Sequence, residues 1–545
     1  MRNLSFPFLS SIEVQTKHEL FQQQVPSTRV PPSGGPQYNH GGYNNNNNNN
    51  NNHDDTYYVQ PDLENVNNEK PQPSQDFDQS FKIEKPRLND WPFTIFFLLV
   101  VAGFIAIAGI TLNALRETYS DQGSGIYGSS DSFTVNRNTV ILFAFVIVLA
   151  IVMTALGLLF IRSFAKQFIY VACVLNVVLS VGTAIFYFVE HYYSAAIVFL
   201  IFGLFAAFCY WRARSRIPLS ATILRIVIDV MKQYPSTLIT AFFGLVISSG
   251  FGVLFSIVIV GTYVKFKPNA DNTACEVGGG SCSQGKLVGV LIFVFFAGYY
   301  ISEVIKNVIH VVISGIYGTW YYLSNSDQGA PRHPALSSLK RALTYCFGSI
   351  CFGSLIVAFI QLVRQLINIV RSQFVDSFAG QCALIIVDFI VRFIDWLVQY
   401  FNRYAYSYVA LYGKPYIRSA KDTFDLFRFK GMDALVNDMF INVALNFYSL
   451  FVAYLSSLLA YLYLKFTKPG YNSDGNYYAP IVAFTFLISM QITSVTLSVI
   501  GSGVATFFVC LSKDPEILQM SQRDELFNQI QRNYPQVYQK INTNH

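Results

Sequence analysis

From Pro92 to Leu511 the sequence keeps returning to one pattern, apolar runs of about 20 residues or more. A run of that length crosses a hydrocarbon core of roughly 30 Å as a helix, and in lipid a helix is the simplest way to satisfy every backbone N–H and C=O. Ten such stretches stand at 92–115, 139–161, 168–189, 194–211, 237–264, 287–311, 343–370, 379–401, 435–464 and 479–511. Only 13% of the 545 residues are charged while 52% are hydrophobic. A water-soluble chain of this size needs far more charge to cover its surface. The expected fold is therefore an all-α polytopic membrane protein with about ten transmembrane helices, with the lipid bilayer as its first partner. The net charge of +6 is spread over the connecting segments, and there is no nucleic-acid-binding motif.

Three regions follow from this pattern. Residues 1–90 are polar and carry nine consecutive Asn at 44–52, a composition too poor in apolar surface to pack a core, so this tail is expected to be disordered. Residues 1–20 mix Arg2, Glu13, Lys17, His18 and Glu19 with apolar residues and lack the pattern of a secretory signal, so the first stretch is expected to direct insertion. Residues 91–511 hold the ten spans and 512–545 form a C-terminal tail. Placing the N-terminus in the cytosol puts far more Lys and Arg in the inner segments than in the outer ones. That asymmetry favours both termini cytosolic. Two inner segments read as structured: 218–233, patterned as a short interfacial helix, and 402–430, mixed aromatic and basic.

The most informative stretch is Leu287–Leu323. As a single helix it is about 55 Å long, so it either projects beyond the membrane or breaks near Gly298, Gly315 or Gly318. Within it Glu303, Lys306 and His310 are spaced i, i+3 and i+7, which places them on one helical face. Ionisable groups at membrane depth need partners or water, so they mark a helix end or a transport pathway. Glu303 is a candidate counter-charge for a cationic substrate, and His310 a titratable group on the same face. Tyr299, Tyr300 and Trp320 are candidate cation–π walls. Against this, Glu303 and Lys306 can simply pair with each other, and Tyr and Trp also form ordinary interface belts. Asp388, Arg392 and Asp395, at i, i+4 and i+7, can form a self-compensated acid–base–acid row on one helix face, although the preferred reading is an amphipathic helix lying at the interface with this row towards water. Gly244, Gly250, Gly252 and Gly261 read as close-packing positions.

Of eight cysteines, Cys275 and Cys282 stand apart, because they flank EVGGGS in an outer loop and are spaced to close a disulfide in an oxidising compartment. That loop has neither a His nor a second Cys pair, so no metal site is expected. No P-loop motif is present, nor any H-E-x-x-H or G-x-S-x-G, so neither an ATP-driven pump nor an enzyme is expected, and no cofactor.

Three segments carry a resemblance: IKNVIHVVISGIYGTWYY (305–322), PALSSLKRALTYCFGSICFGSLIVAFIQLVR (334–364) and NRYAYSYVALYGKPYIRSAKDTFDLF (402–427). Together they resemble the choline transporter-like family, over about 235–511. The resemblance implies ten helices, cytosolic termini and movement of choline or a related small organic cation across a membrane. The animal members typically have a large, disulfide-rich first outer loop. Here 116–138 is short and lacks cysteine, which is closer to the fungal and protist branch. The expected function is thus a plasma-membrane transporter of a small organic cation working by alternating access. The rival is a non-transporting membrane scaffold, with the soluble segments as docking surfaces for protein partners the sequence does not identify.

Overall fold

The computed structural model describes residues 87–121, 137–266, 283–323, 330–373, 378–467 and 478–515, together with 517, 528 and 531. Residues 1–86 of the Asn-rich tail, the Cys275–Cys282 pair and most of the C-terminal tail lie outside the described residues. Eleven α-helices and one short 3-10 turn are found among those described, and no strand. They are α1 (Trp91–Asp121), α2 (Arg137–Val189), α3 (Tyr193–Ala213), α4 (Ile217–Gln233), α5 (Ser236–Phe266) and α6 (Gln284–Leu323). Then follow α7 (Pro334–Leu343), α8 (Phe347–Gln373), α9 (Phe378–Tyr412), α10 (Tyr416–Thr467) and α11 (Tyr478–Lys513).

Among the described residues, eight runs are long and apolar enough to cross a membrane: Trp91–Arg116, Phe145–Val189, Ala195–Gln233, Ser236–Phe266, Gln284–Leu323, Phe347–Ile367, Val436–Thr467 and Ile481–Lys513. Two features reconcile these with the ten stretches of the sequence. Phe164 has non-helical dihedrals (φ −119°, ψ 32°), so α2 breaks there. Residues 145–163 and 165–189 are then about 28 and 37 Å long, each near or above one bilayer thickness. The remaining stretch, 379–401, lies in α9, whose Asp388, Arg392 and Asp395 keep it out of the strongly apolar set.

α6 does not break. Its 40 residues form one helix about 60 Å long, running through all three glycines that were candidate break points. It is also the helix shared by two apolar cores. One gathers α2, α4, α10, α11 and the end of α6 around Ile313, Tyr317 and Trp320. The other gathers α1, α5, α8 and the earlier part of α6 around Val294, Ala297 and Tyr300. α9 is divided in the same way, giving Tyr400, Tyr404 and Tyr408 to the first core and Ala405, Tyr406 and Val409 to the second. The two helices form the seam between two halves of the bundle.

The 218–233 segment is a helix, but its apolar face is covered by protein: Ile223, Leu224, Val227 and Ile228 are all buried in the first core. Its outer face is tied to the break in α2 by an Arg162–Asp229 ion pair and by Arg225 donating to the Ser163 carbonyl at 3.3 Å. Residues 402–430 are divided between the end of α9 and the start of α10. The glycines expected to pack closely divide as well. A Cβ on Gly244 would meet Ile309 at 2.0 Å, and one on Gly261 the Thr111 carbonyl oxygen at 2.9 Å. Around Gly250 and Gly252 nothing lies within 4 Å.

Candidate functional site

Along the seam, two polar ladders face each other. On α6 the rungs are Glu303, Lys306, His310 and Ser314. On α9 they are Asp395, Gln399, Arg403 and Ser407, at successive i+4 steps that keep one helical face. Glu303 is buried, about midway along α6. Lys306 reaches both of its carboxylate oxygens at 3.3 Å, and Gln361 of α8 donates to Oε1 at 3.1 Å. Lys306 also donates to Gln399 Oε1 at 3.1 Å, and Gln399 Nε2 to Asp395 Oδ1 at 2.9 Å. Arg364 of α8 completes the network by reaching Asp395 Oδ2 at 3.1 Å. The Lys306 side chain is 56% exposed whereas that of Glu303 is 9% exposed, so the acid is enclosed while its cation is not.

One rung further, His310 joins three helices. Its Nε2 lies 2.8 Å from the carbonyl of Arg403, and a carbonyl can only accept, so Nε2 carries the proton. Nδ1 then accepts from the Ser502 hydroxyl of α11 at 2.8 Å. Ser407 donates to the same Arg403 carbonyl at 3.1 Å, and its hydroxyl lies 3.3 Å from that of Thr506. Both imidazole nitrogens are therefore committed to protein groups.

The five residues singled out for a substrate do not converge on one point. Tyr299 sits one turn before Glu303, its ring stacked on Phe295 at 6.2 Å. Tyr300 faces the second core, where its hydroxyl donates to the Cys351 carbonyl at 3.2 Å and Phe97 meets its ring edge-on at 5.3 Å. Trp320 is seventeen residues beyond Glu303, about 25 Å along the same helix, so one bound cation cannot touch both. It lines a narrow apolar recess with Val227 and Val230 of α4, Tyr317, Tyr321 and, from α11, Phe507. Replacing Trp320 by Ala is expected to cost about 3–5 kcal/mol by emptying that recess, read as a lower melting temperature in detergent. Trp320→Phe should cost less and leave the KM for a cationic substrate unchanged.

The Asp388, Arg392 and Asp395 row is not turned to water. Asp388 and Asp395 are buried, Arg392 reaches Asp388 at 2.8 Å, and Asp395 is taken by Arg364 and Gln399. The periodic signal was sound, but its continuation to Gln399, Arg403 and Ser407 holds the rest of the ladder. Gln361 and Arg364 are contributed by a different helix and have no signature in spacing.

The residues that build this seam fall within one family match. Residues 197–516, more than half of the chain, match the model described as plasma-membrane choline transporter. The chain belongs to the choline transporter-like family. It is 70% identical over 496 residues to Protein PNS1 of Candida albicans, which covers 90% of this chain and 96% of that protein. To Protein PNS1 of Debaryomyces hansenii it is 64% identical over 494 residues, covering 89% and 96%. To Protein PNS1 of Saccharomyces cerevisiae it is 53% identical over 476 residues, covering 86% and 88%. Membership supports a role as a multi-pass membrane transporter. The match begins at residue 197, earlier than the resemblance in the sequence, and takes in α6 and α8 to α11, which carry both polar ladders and their partners from other helices.

Proposed function

We propose that this choline transporter-like protein moves a small organic cation, choline or a related amine, across the plasma membrane by alternating access, with Glu303 as the counter-charge and Tyr299 as the adjacent aromatic wall. The observation that carries this reading is the buried Glu303 carboxylate midway along the seam helix. Its resident cation, Lys306, is half exposed and sits at 3.3 Å. A buried acid whose partner can leave for solvent is suited to exchange that partner for a mobile cation. His310 acts as a positioning residue, holding α6, α9 and α11 in register. The division of the bundle into two cores that meet at α6 and α9 supplies two bodies able to rock about the ladder.

The test is uptake of labelled choline into liposomes holding the purified full chain. Saturable uptake, competed by unlabelled alkylammonium ions, is expected. A rate equal to that of empty liposomes, for choline and for tetramethylammonium alike, would overturn the reading.

A further inference from the structure

Next to the ladder, on α10, stands a second enclosed acid that no part of the mechanism above uses. Asp438 is fully buried, and neither of its carboxylate oxygens accepts a hydrogen bond of normal geometry. Its ion-pair partner is Arg403, the α9 rung whose carbonyl holds His310, at 4.0 Å. Tyr400 and Tyr404 of α9 and Asn442 of α10 stand around the carboxylate without closing such a bond. The contrast with the other ion pairs is informative. Lys414–Asp422, Arg392–Asp388 and Arg364–Asp395 span 2.6, 2.8 and 3.1 Å. The two longer pairs, at 3.3 and 4.0 Å, are Lys306–Glu303, within the ladder, and Arg403–Asp438, between the ladder and α10.

The surroundings of Asp438 are aromatic. The Tyr400 and Tyr404 ring centroids are 5.4 Å apart, Trp396 stacks on Tyr400 at 5.8 Å, and Phe427 meets Tyr404 at 5.0 Å. The Tyr400 and Tyr404 hydroxyls are turned towards the carboxylate, and an acid beside an aromatic cluster can receive an alkylammonium ion, with charge against acid and methyl groups against rings. The site is closely packed, so such an ion enters only in place of the guanidinium. The Arg403 side chain is 35% exposed, although the Nη1 that faces Asp438 is buried.

We propose that Asp438 is a second site for the organic cation on the same route as Glu303, and that Arg403 is a tethered competitor which holds the acid until the substrate displaces it. This rests on the transport reading above and extends it from one counter-charge to two in series.

The test measures choline uptake by proteoliposomes of the full chain and binding of labelled choline to the same proteins in detergent, for Asp438→Asn, Asp438→Glu, Arg403→Gln and the double variant Asp438→Asn/Arg403→Gln. Losing the acid should lower kcat/KM about tenfold or more, with partial recovery in Asp438→Glu. Removing the competitor should lower KM by about threefold, and the double variant should be as poor as Asp438→Asn. A purely structural ion pair predicts the reverse, with both single changes harmful and the neutral double variant restored; that result overturns the proposal, as does wild-type uptake by Asp438→Asn. If Asp438→Asn does not fold, the sign of the KM change in Arg403→Gln decides. Wild-type proteoliposomes that transport no alkylammonium ion would instead sink the transport reading, and this inference with it.

Discussion

Glu303→Gln is expected to remove saturable choline uptake while leaving the protein folded. The substitution keeps the size of the side chain and the acceptor that Gln361 uses, and deletes only the charge. The deserted cation, Lys306, is 56% exposed and keeps its bond to Gln399, so it is not left as an unpaired buried charge. The cost to stability should therefore be well below the several kcal/mol of breaking a fully buried pair. The substrate has no such alternative. A hydrogen bond or ion contact to a charged group contributes about 1.5–3 kcal/mol, or roughly tenfold to 150-fold in affinity. Liposome uptake beside a melting curve in detergent separates the two effects. Near-normal melting with uptake down at least about tenfold supports Glu303 as the counter-charge. Normal uptake would keep the transporter and remove Glu303 from its route. Lys306→Gln should act in the opposite sense, lowering KM by withdrawing the resident competitor.

What the sequence disclosed and what it hid divide along a physical line. Apolar runs report their environment directly, because a lipid-facing helix has no other way to satisfy its backbone, and so the all-α polytopic fold was legible. The shared face of Glu303, Lys306 and His310 was legible for a similar reason, since helical spacing is local geometry. The same arithmetic, 1.5 Å per residue, already keeps Trp320 from sharing a ligand with Glu303. Partners from other helices were not legible. Gln361, Arg364 and Asp438 are polar residues in otherwise apolar stretches, and which face meets the seam is decided by tertiary packing. The interruption at Phe164 was legible, because it falls in the segment 162–167 that separates two of the apolar stretches; what stayed hidden is that helix continues on both sides of it, in a run, IRSFAK, with no Pro or Gly. Glycines were ambiguous because the residue itself does not say whether it is there for a close approach. Gly244 and Gly250, six residues apart in α5, fall on opposite sides of that question.

That ambiguity becomes a prediction once the neighbours are known, and the largest effect belongs to Gly348, in the first turn of α8. A Cβ there would lie 2.2 Å from the Asn89 carbonyl oxygen and 2.5 Å from that of Asp90. These are backbone atoms of the segment leading into α1, and that segment is tied down. Asp90 has a positive φ of 53°, and its Oδ2 accepts from the Ser349 hydroxyl at 2.7 Å and from the Tyr416 N–H at 2.8 Å. Asn89 Nδ2 donates to the Gly413 carbonyl at 2.6 Å. A methyl group cannot enter without moving the segment, and moving it strains the contacts that join the starts of α1, α8 and α10. Gly348→Ala is expected to cost about 3 kcal/mol or more, from overpacking and the loss of two or three hydrogen bonds. Gly244→Ala should cost less, because the atom in its way is the far end of the Ile309 side chain, which can rotate. Gly250→Ala has open space and should be neutral or stabilising by up to about 1 kcal/mol from helix propensity. Melting temperatures in one detergent should rank the three in that order, and a Gly348→Ala protein as stable as Gly250→Ala would overturn the argument. Uptake should follow the same ranking, because α8 also carries Gln361, thirteen residues or about 20 Å beyond Gly348, where it supports the Glu303 carboxylate.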